Sequence, residues 1–272
     1  MTILTAAIAL SLTSCVKDEL FNTPHPDQGA VIVTTDWSAK SAEAEIPQNY
    51  TLRMETEEQA VSGIINTFKT LLPQGSYELT AFNTPEHIGI SGNTATVAES
   101  EPGYMEPMPG YLFSAHQTID VMADDTLKVT VPVKQLVRLL NVELTVTEGD
   151  YNRVQSATAT LDGVASRIDI VTGERSTAAK SLNTLVQNGN KFTTSFRLLG
   201  IIPSASQKLT VSILFTNGDT QQIESDDILT DFNDRTEAKT LTGNLLLPIE
   251  AGVTGATITD WKETDGGDVD AN

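Results

Sequence analysis

Apolar and polar residues alternate with a period of two along most of this chain, and apolar stripes at helical spacing are nearly absent. Successive side chains of a strand point to opposite faces, so such a pattern is satisfied by sheets that bury one face and wet the other. The alternation is clearest in GAVIVTTDW (29–37), SYELTAF (76–82), TLKVTVPV (126–133), VELTVTE (142–148), SATATLDG (156–163), KFTTSFRLLG (191–200) and KLTVSILF (208–215). All are rich in the β-branched and aromatic residues that fit a pleated surface. In KLTVSILFTNGDTQQIES, Asn217-Gly218 supplies the turn of a hairpin. One segment, EEQAVSGIINTFKTLLPQG (57–75), is the main helix candidate, ended by Pro73 and Gly75. The proline- and glycine-rich tract SEPGYMEPMPGYLFS (100–114) reads as a long surface loop of the first domain, because no central strand tolerates such punctuation.

The expected fold class is therefore all-β. Short strands separated by Asn, Gly, Asp and Ser turns fill both halves, which is the signature of two tandem β-sandwich domains. The boundary falls in TLKVTVPVKQLVRLLNVELTVTEGD, giving an N-terminal domain over 26–130 and a C-terminal domain over 131–262. A single large β-domain is the alternative. Residues 263–272 read as a polar tail that buries nothing.

The start of the chain has a different character. Residues 1–14 are apolar or small without one charge, too short to cross a bilayer as a helix but fitting the apolar core of a signal peptide. They lead into Leu12, Thr13 and Ser14, directly before Cys15, the only cysteine of the chain. This arrangement resembles a bacterial lipobox, which implies that Cys15 becomes the lipidated first residue of the mature protein and that 15–25 forms a tether. Several acyl chains on one residue hold a soluble domain at a membrane firmly, whereas a single chain anchors only marginally. Lys17, Asp18 and Glu19 resemble the surface-export signal of Bacteroidetes lipoproteins.

A lone cysteine excludes an intramolecular disulfide and a cysteine-rich metal site. With 36 acidic against 17 basic residues the formal net charge is −19. That charge opposes nucleic acid binding, which depends on Lys and Arg, and disfavours direct adsorption to an anionic membrane. No catalytic constellation emerges. The three histidines, His25, His87 and His116, are far apart in sequence, and no glycine-rich phosphate loop follows a strand. Neither an enzyme nor a cofactor is expected. In ESDDILTDFNDRTE (224–237), Asp226, Asp227, Asp231, Asn233 and Asp234 could offer oxygen ligands to calcium, but the glycine and spacing of an EF-hand are missing, and a solvated hairpin face is the better reading. Trp37 and Trp261 could stack on a glycan, although packing at a sheet edge suits their position better. Tyr104, Met105, Met108, Tyr111 and Phe113 belong to residue types enriched in interface cores, yet could equally fold back over their own domain.

Three stretches carry a resemblance: HPDQGAVIVTTDWSAKSAEAEIP (25–47), VPVKQLVRLLNVELTV (131–146) and LLLPIEAGVTGATITDW (245–261). Together with the lipobox they resemble the fimbrillin superfamily of Bacteroidales and, more narrowly, its lipidated minor-fimbria anchor and accessory subunits (type V pilus). The resemblance implies two transthyretin-like β-sandwich domains and carriage to the cell surface as a lipoprotein. In stalk subunits of that superfamily, clipping after an arginine removes a first strand, and a C-terminal extension of a neighbour fills the groove. Here no arginine stands between Cys15 and Tyr50, the first being Arg53, and Val269 is the one large apolar residue after Trp261. The expectation is a non-enzymatic, outer-membrane lipoprotein that keeps its lipid and accepts a donor strand from a neighbouring pilin. A stand-alone carbohydrate-binding lipoprotein is the alternative.

Overall fold

A computed structural model describes residues 27–225, 229, 231–248 and 255–266. Strands dominate it, and among the described residues the only helical turns are two short 3-10 turns, Tyr151–Arg153 and Phe232–Asp234. The fold is all-β with several sheets, as the alternation required.

In the first sheet β1 (Gln28–Asp36) is central. It is flanked on one side by β12 (Thr126–Pro132) and on the other by β4 (Ile65–Thr67) and β5 (Leu72–Pro73). The second sheet runs β13 (Lys134–Gln135), β11 (Phe113–Val121), β6 (Gly75–Phe82), β2 (Asn49–Met54), β3 (Glu57–Ser62). The third is ordered β20 (Thr220–Glu224), β19 (Leu209–Phe215), β15 (Val154–Asp169), β16 (Arg175–Thr184), β10 (Tyr104–Met105), β9 (Glu99–Glu101). To the far end of β15 it adds β8 (Thr94–Val97), itself paired with β7 (Ile88–Ser91). The fourth sheet runs β17 (Val186–Asn188), β18 (Lys191–Leu198), β14 (Arg138–Glu148), β21 (Lys239–Leu246), β22 (Thr257–Asp265).

The period-two pattern decides which sheets face each other. Val31 and Val33 of β1 turn inward to meet Leu52, Met54, Leu79, Phe113 and Ile119 of the second sheet in one apolar cluster. Leu140, Val142, Leu144, Phe192 and Phe196 of the fourth sheet meet Ala159, Leu161, Val211 and Ile213 of the third in another. A third cluster, with Phe82, Val97, Met105, Leu112, Val137, Ile168 and Leu199, mixes residues from both halves of the chain. Two parallel pairs stand out. β1 runs parallel to β12 over seven positions from Ala30↔Thr126 to Asp36↔Pro132, and β14 runs parallel to β21. Parallel neighbours need a crossover, so each pair joins strands far apart in sequence.

The Asn217-Gly218 turn is present, with Gly218 in the left-handed region (φ 89°) between β19 and β20. Four expectations need correction. The helix candidate 57–75 is instead the strands β3, β4 and β5, because Gly63 (φ 74°) turns the chain back between the first two. The 100–114 tract is not a surface loop of the first half. Its β10 joins β16, and Leu112 and Phe113 are buried. The acidic run holds a 3-10 turn and no hairpin among its described residues: Asp231 and Asp234 are exposed, as expected of a solvated face, whereas Leu229 and Phe232 are fully buried, and Asn233 accepts from Ile201 N–H and donates to Ile201 C=O, both at 2.9 Å. Lastly, β22 continues through Asp265, three residues into the stretch read as a tail, where Glu263 and Asp265 pair with buried cations.

Candidate functional site

The first described strand, β1, is the centre of its sheet and is fixed at each end. Gln28 and Gly29 lie opposite Pro73 and Leu72 of β5, and Asp124 N–H donates to Gln28 C=O (3.2 Å). Gly29 has no room for a side chain, since a Cβ would sit 2.3 Å from Met122 O and 2.7 Å from Val121 Cγ1. Further along, Thr35 is buried; its hydroxyl accepts from Trp37 Nε1 (2.8 Å) and lies 3.3 Å from Tyr50 Oη. Trp37 then meets Tyr50 and Phe113 edge to face. The strand is thus held along both edges and pinned at both ends.

Leu12, Thr13, Ser14, Cys15, Lys17, Asp18, Glu19 and His25 lie outside the described residues, as do Asp226, Asp227 and the end of the chain from residue 267. The two tryptophans do not form a platform. Trp37 belongs to the first cluster, while Trp261 lies half-buried over Gly243 against the second. Packing is their role, as expected. Among the described residues no group of three His, Cys, Asp or Glu side chains could hold a metal ion.

The opposite end of the chain holds an arrangement that sequence reasoning missed. Arg138, buried at the start of β14, donates to Glu237 O and Phe232 O, lies over the Phe232 ring at 4.8 Å, and pairs with Asp265 at 2.6 Å. Arg235 reaches the same carboxylate at 3.3 Å. Lys239 is buried on β21 and pairs with Glu263. Signals existed, for Lys239 stands in phase with the inward-facing Leu241 and Leu245, which places a cation where an apolar residue belongs.

Among the described residues, clefts of several hundred Å³ open on the surface. One of about 600 Å³ is lined by Arg53, Glu58, Glu78, Thr80, Asn93 and His116. Here His116 pairs with Glu78 at 2.9 Å while its Nδ1 lies 3.2 Å from Thr80 Oγ1. The trio resembles a nucleophile–base–acid relay, but it follows from register alone, since His116 faces Thr80 directly across β11 and β6. Thr80 lines the cleft but is only 4% exposed. A second cleft of about 500 Å³ lies where Tyr111 stacks under the Arg197 guanidinium at 4.6 Å, between Ile46, Pro47 and Asn83. Burial pushes the Tyr111 phenol above its usual range. The third, about 360 Å³, lies between β8, β15 and β16 beside Thr177, a β-branched residue in the left-handed region (φ 62°).

The model of the family of fimbrillin-A associated anchor proteins Mfa1 and Mfa2 matches residues 39–266. The chain belongs to that family. The anchor protein's fold agrees with solved structures. The fimbrial anchor protein Mfa2 from Porphyromonas gingivalis is similar at a TM-score of 0.61 and 11% identity, covering 88% of this chain and 98% of that one. A candidate adhesin from Bacteroides ovatus gives 0.59 at 14% identity over 94% of both chains. Another from the same species gives 0.60 at 10% identity over 88% and 96%. At such identities the likeness is one of fold. Among curated proteins none matches the chain. The anchor protein is thus a non-enzymatic fimbrial anchor or accessory subunit, a surface protein associated with the outer membrane.

Proposed function

We propose that this anchor protein is held in the outer membrane by lipid on Cys15 and receives a strand from a neighbouring pilin. In this reading residues 1–14 are removed as a signal peptide, 15–25 are the tether, and Lys17, Asp18 and Glu19 direct export to the cell surface. Two transthyretin-like β-sandwich domains, 26–130 and 131–262, follow, with β7 to β10 lent by the first to the sheet of the second.

One observation carries the proposal: the strand next to the tether is inseparable from the core. Val31 and Val33 are fully buried, and β1 bonds to three neighbouring strands. No arginine precedes it where a stalk-type clip would fall, so the lipid end and the fold stay together. A donated strand then joins by main-chain pairing along an open sheet edge, with alternate side chains buried.

The test is fractionation. Cys15→Ala should move the protein from the membrane fraction to the soluble one, and retention at the membrane would refute lipid anchoring. Neutralising Asp18 and Glu19 should reduce surface exposure without releasing the protein. Specific binding to a polysaccharide, with no complex formed with any pilin, would favour the stand-alone carbohydrate-binding reading.

A further inference from the structure

We infer that the outer edge of β12 is the edge that takes the incoming strand, as an extended, alternately apolar segment of a neighbouring pilin. The inference rests on the strand-accepting reading above and adds the address. Because β1 already fills the middle of the first sheet, a partner strand has to add beside a sheet and not inside it.

The phase of β12 follows from two printed bonds at its ends. Ala30 N–H donates to Asp125 C=O (2.9 Å) and Val133 N–H to Asp36 C=O (2.8 Å). In a parallel ladder alternate residues of a strand bond the same neighbour. Leu127, Val129 and Val131 therefore turn their backbone groups to β1, while Lys128 and Thr130 turn theirs outward. Those outward N–H and C=O groups have no partner strand among the described residues.

The side chains agree with the backbone. Leu127 and Val129 point into the first cluster yet remain only half-buried, so the core is uncovered along this flank. The facing layer is open there as well, because β13 covers only Phe113 and Ser114 of β11. A strand laid beside β12 would set its own inward residues against Leu127 and Val129.

The other described edges are shorter than β12 or carry the usual protective devices, with β4, β7 and β20 spanning three, four and five residues. β3 is covered by Lys69 N–H and Thr67 C=O, both bonded to Gln59, and by Thr70 bonded to Glu57. β9, β13 and β17 span three residues or fewer. β22 carries Asp260, Lys262, Glu263 and Asp265, and a register shift interrupts its pairing. β12 offers seven residues with Lys128 as their one charge, and Pro132, which has no N–H, closes only the end of its outward edge.

Thr130→Pro tests this. It removes an N–H that the fold does not use and puts a ring in the path of an added strand, as proline on edge strands does. The probe is a purified stalk fimbrillin of the same organism, with and without its C-terminal extension, against the full-length protein. Thr130→Pro should weaken binding at least tenfold while melting close to the parent, and Thr130→Val, which keeps the N–H, should bind as the parent does. On complex formation the Lys128 and Thr130 amides should gain protection from hydrogen exchange. Normal binding by Thr130→Pro, with binding still lost on truncating the pilin, would overturn the β12 assignment and leave the acceptor reading standing. No binding by the parent, or binding that survives truncation, would overturn both. A homodimer of the parent abolished by Thr130→Pro would mean that the edge serves a second copy of this chain.

Discussion

Removing the Glu263 carboxylate is expected to cost more than a change in a nearly terminal, charged segment would suggest. Lys239 has a side chain only 4% exposed, and Glu263 is its one ion-pair partner among the described residues. Deleting one member of a buried pair leaves an uncompensated charge, which costs about 3–5 kcal/mol. Glu263 is itself 37% exposed, so water already screens its side of the pair and the lower end applies. Glu263→Ala should therefore destabilise the fold by about 3 kcal/mol, which lowers Tm by about 6–12 °C for a chain of this size. Calorimetry and urea unfolding measure it directly. Lys239→Met removes the stranded cation and keeps the aliphatic stem, so the double variant should regain about 2 kcal/mol relative to Glu263→Ala. A Tm change under 2 °C on Glu263→Ala, or no recovery in the double variant, would refute the claim that β22 is fastened by neutralising buried cations.

Two further outcomes follow from the geometry. Thr177→Asn should raise stability by about 1 kcal/mol, because a β-branched side chain at positive φ is strained and asparagine tolerates that region; unchanged or lowered urea stability would contradict it. Tyr111 has its ionisation raised by burial, so the neutral phenol is favoured in the fold. Its contribution is complete below pH 10 and fades as pH rises through the raised value, and Tyr111→Phe should flatten that alkaline loss in melts from pH 8 to 11. An equally steep loss in the variant would place its cause elsewhere.

The alternation in sequence was enough to find β1, β6, β12, β14, β15, β18 and β19, and β1, β14, β18 and β19 bury every second residue along most of their length. It failed at 57–75 for a physical reason. Val61, Ile64, Ile65, Phe68, Leu71 and Leu72 are spaced as on one helix face, yet Ile64, Ile65 and Leu71 are exposed and only the other three are buried. Spacing reports a helix only if one face is buried, and Gly63 breaks that condition. The 100–114 tract misled in the opposite sense. Its prolines and glycines prevent a long strand, but two residues, Tyr104 and Met105, suffice to hook β16. Which strands would be parallel was invisible, because the partner of β1 lies some ninety residues along the chain and pairing at that distance is set by how the sheets close. The leader motifs lie outside the described residues, and the buried cations of β14 and β21 became intelligible only once Glu263 and Asp265 were placed beside them.

The arrangement of β1 also determines how the protein bears load. In the proposed lipid-anchored reading, a pull arriving from the N-terminal side would act at Gln28, along the axis of the strand. The seven-position ladder with β12 and the shorter ladders with β4 and β5 lie parallel to that pull. Their hydrogen bonds are therefore sheared together, and rupture requires many to fail at once. A hairpin peeled from its open end would instead surrender them one by one. Gly29, clamped between Met122 and Val121, lies at the point of entry and resists the first slip. In the proposed reading, β1 would be the bolt that joins the fold to the tether.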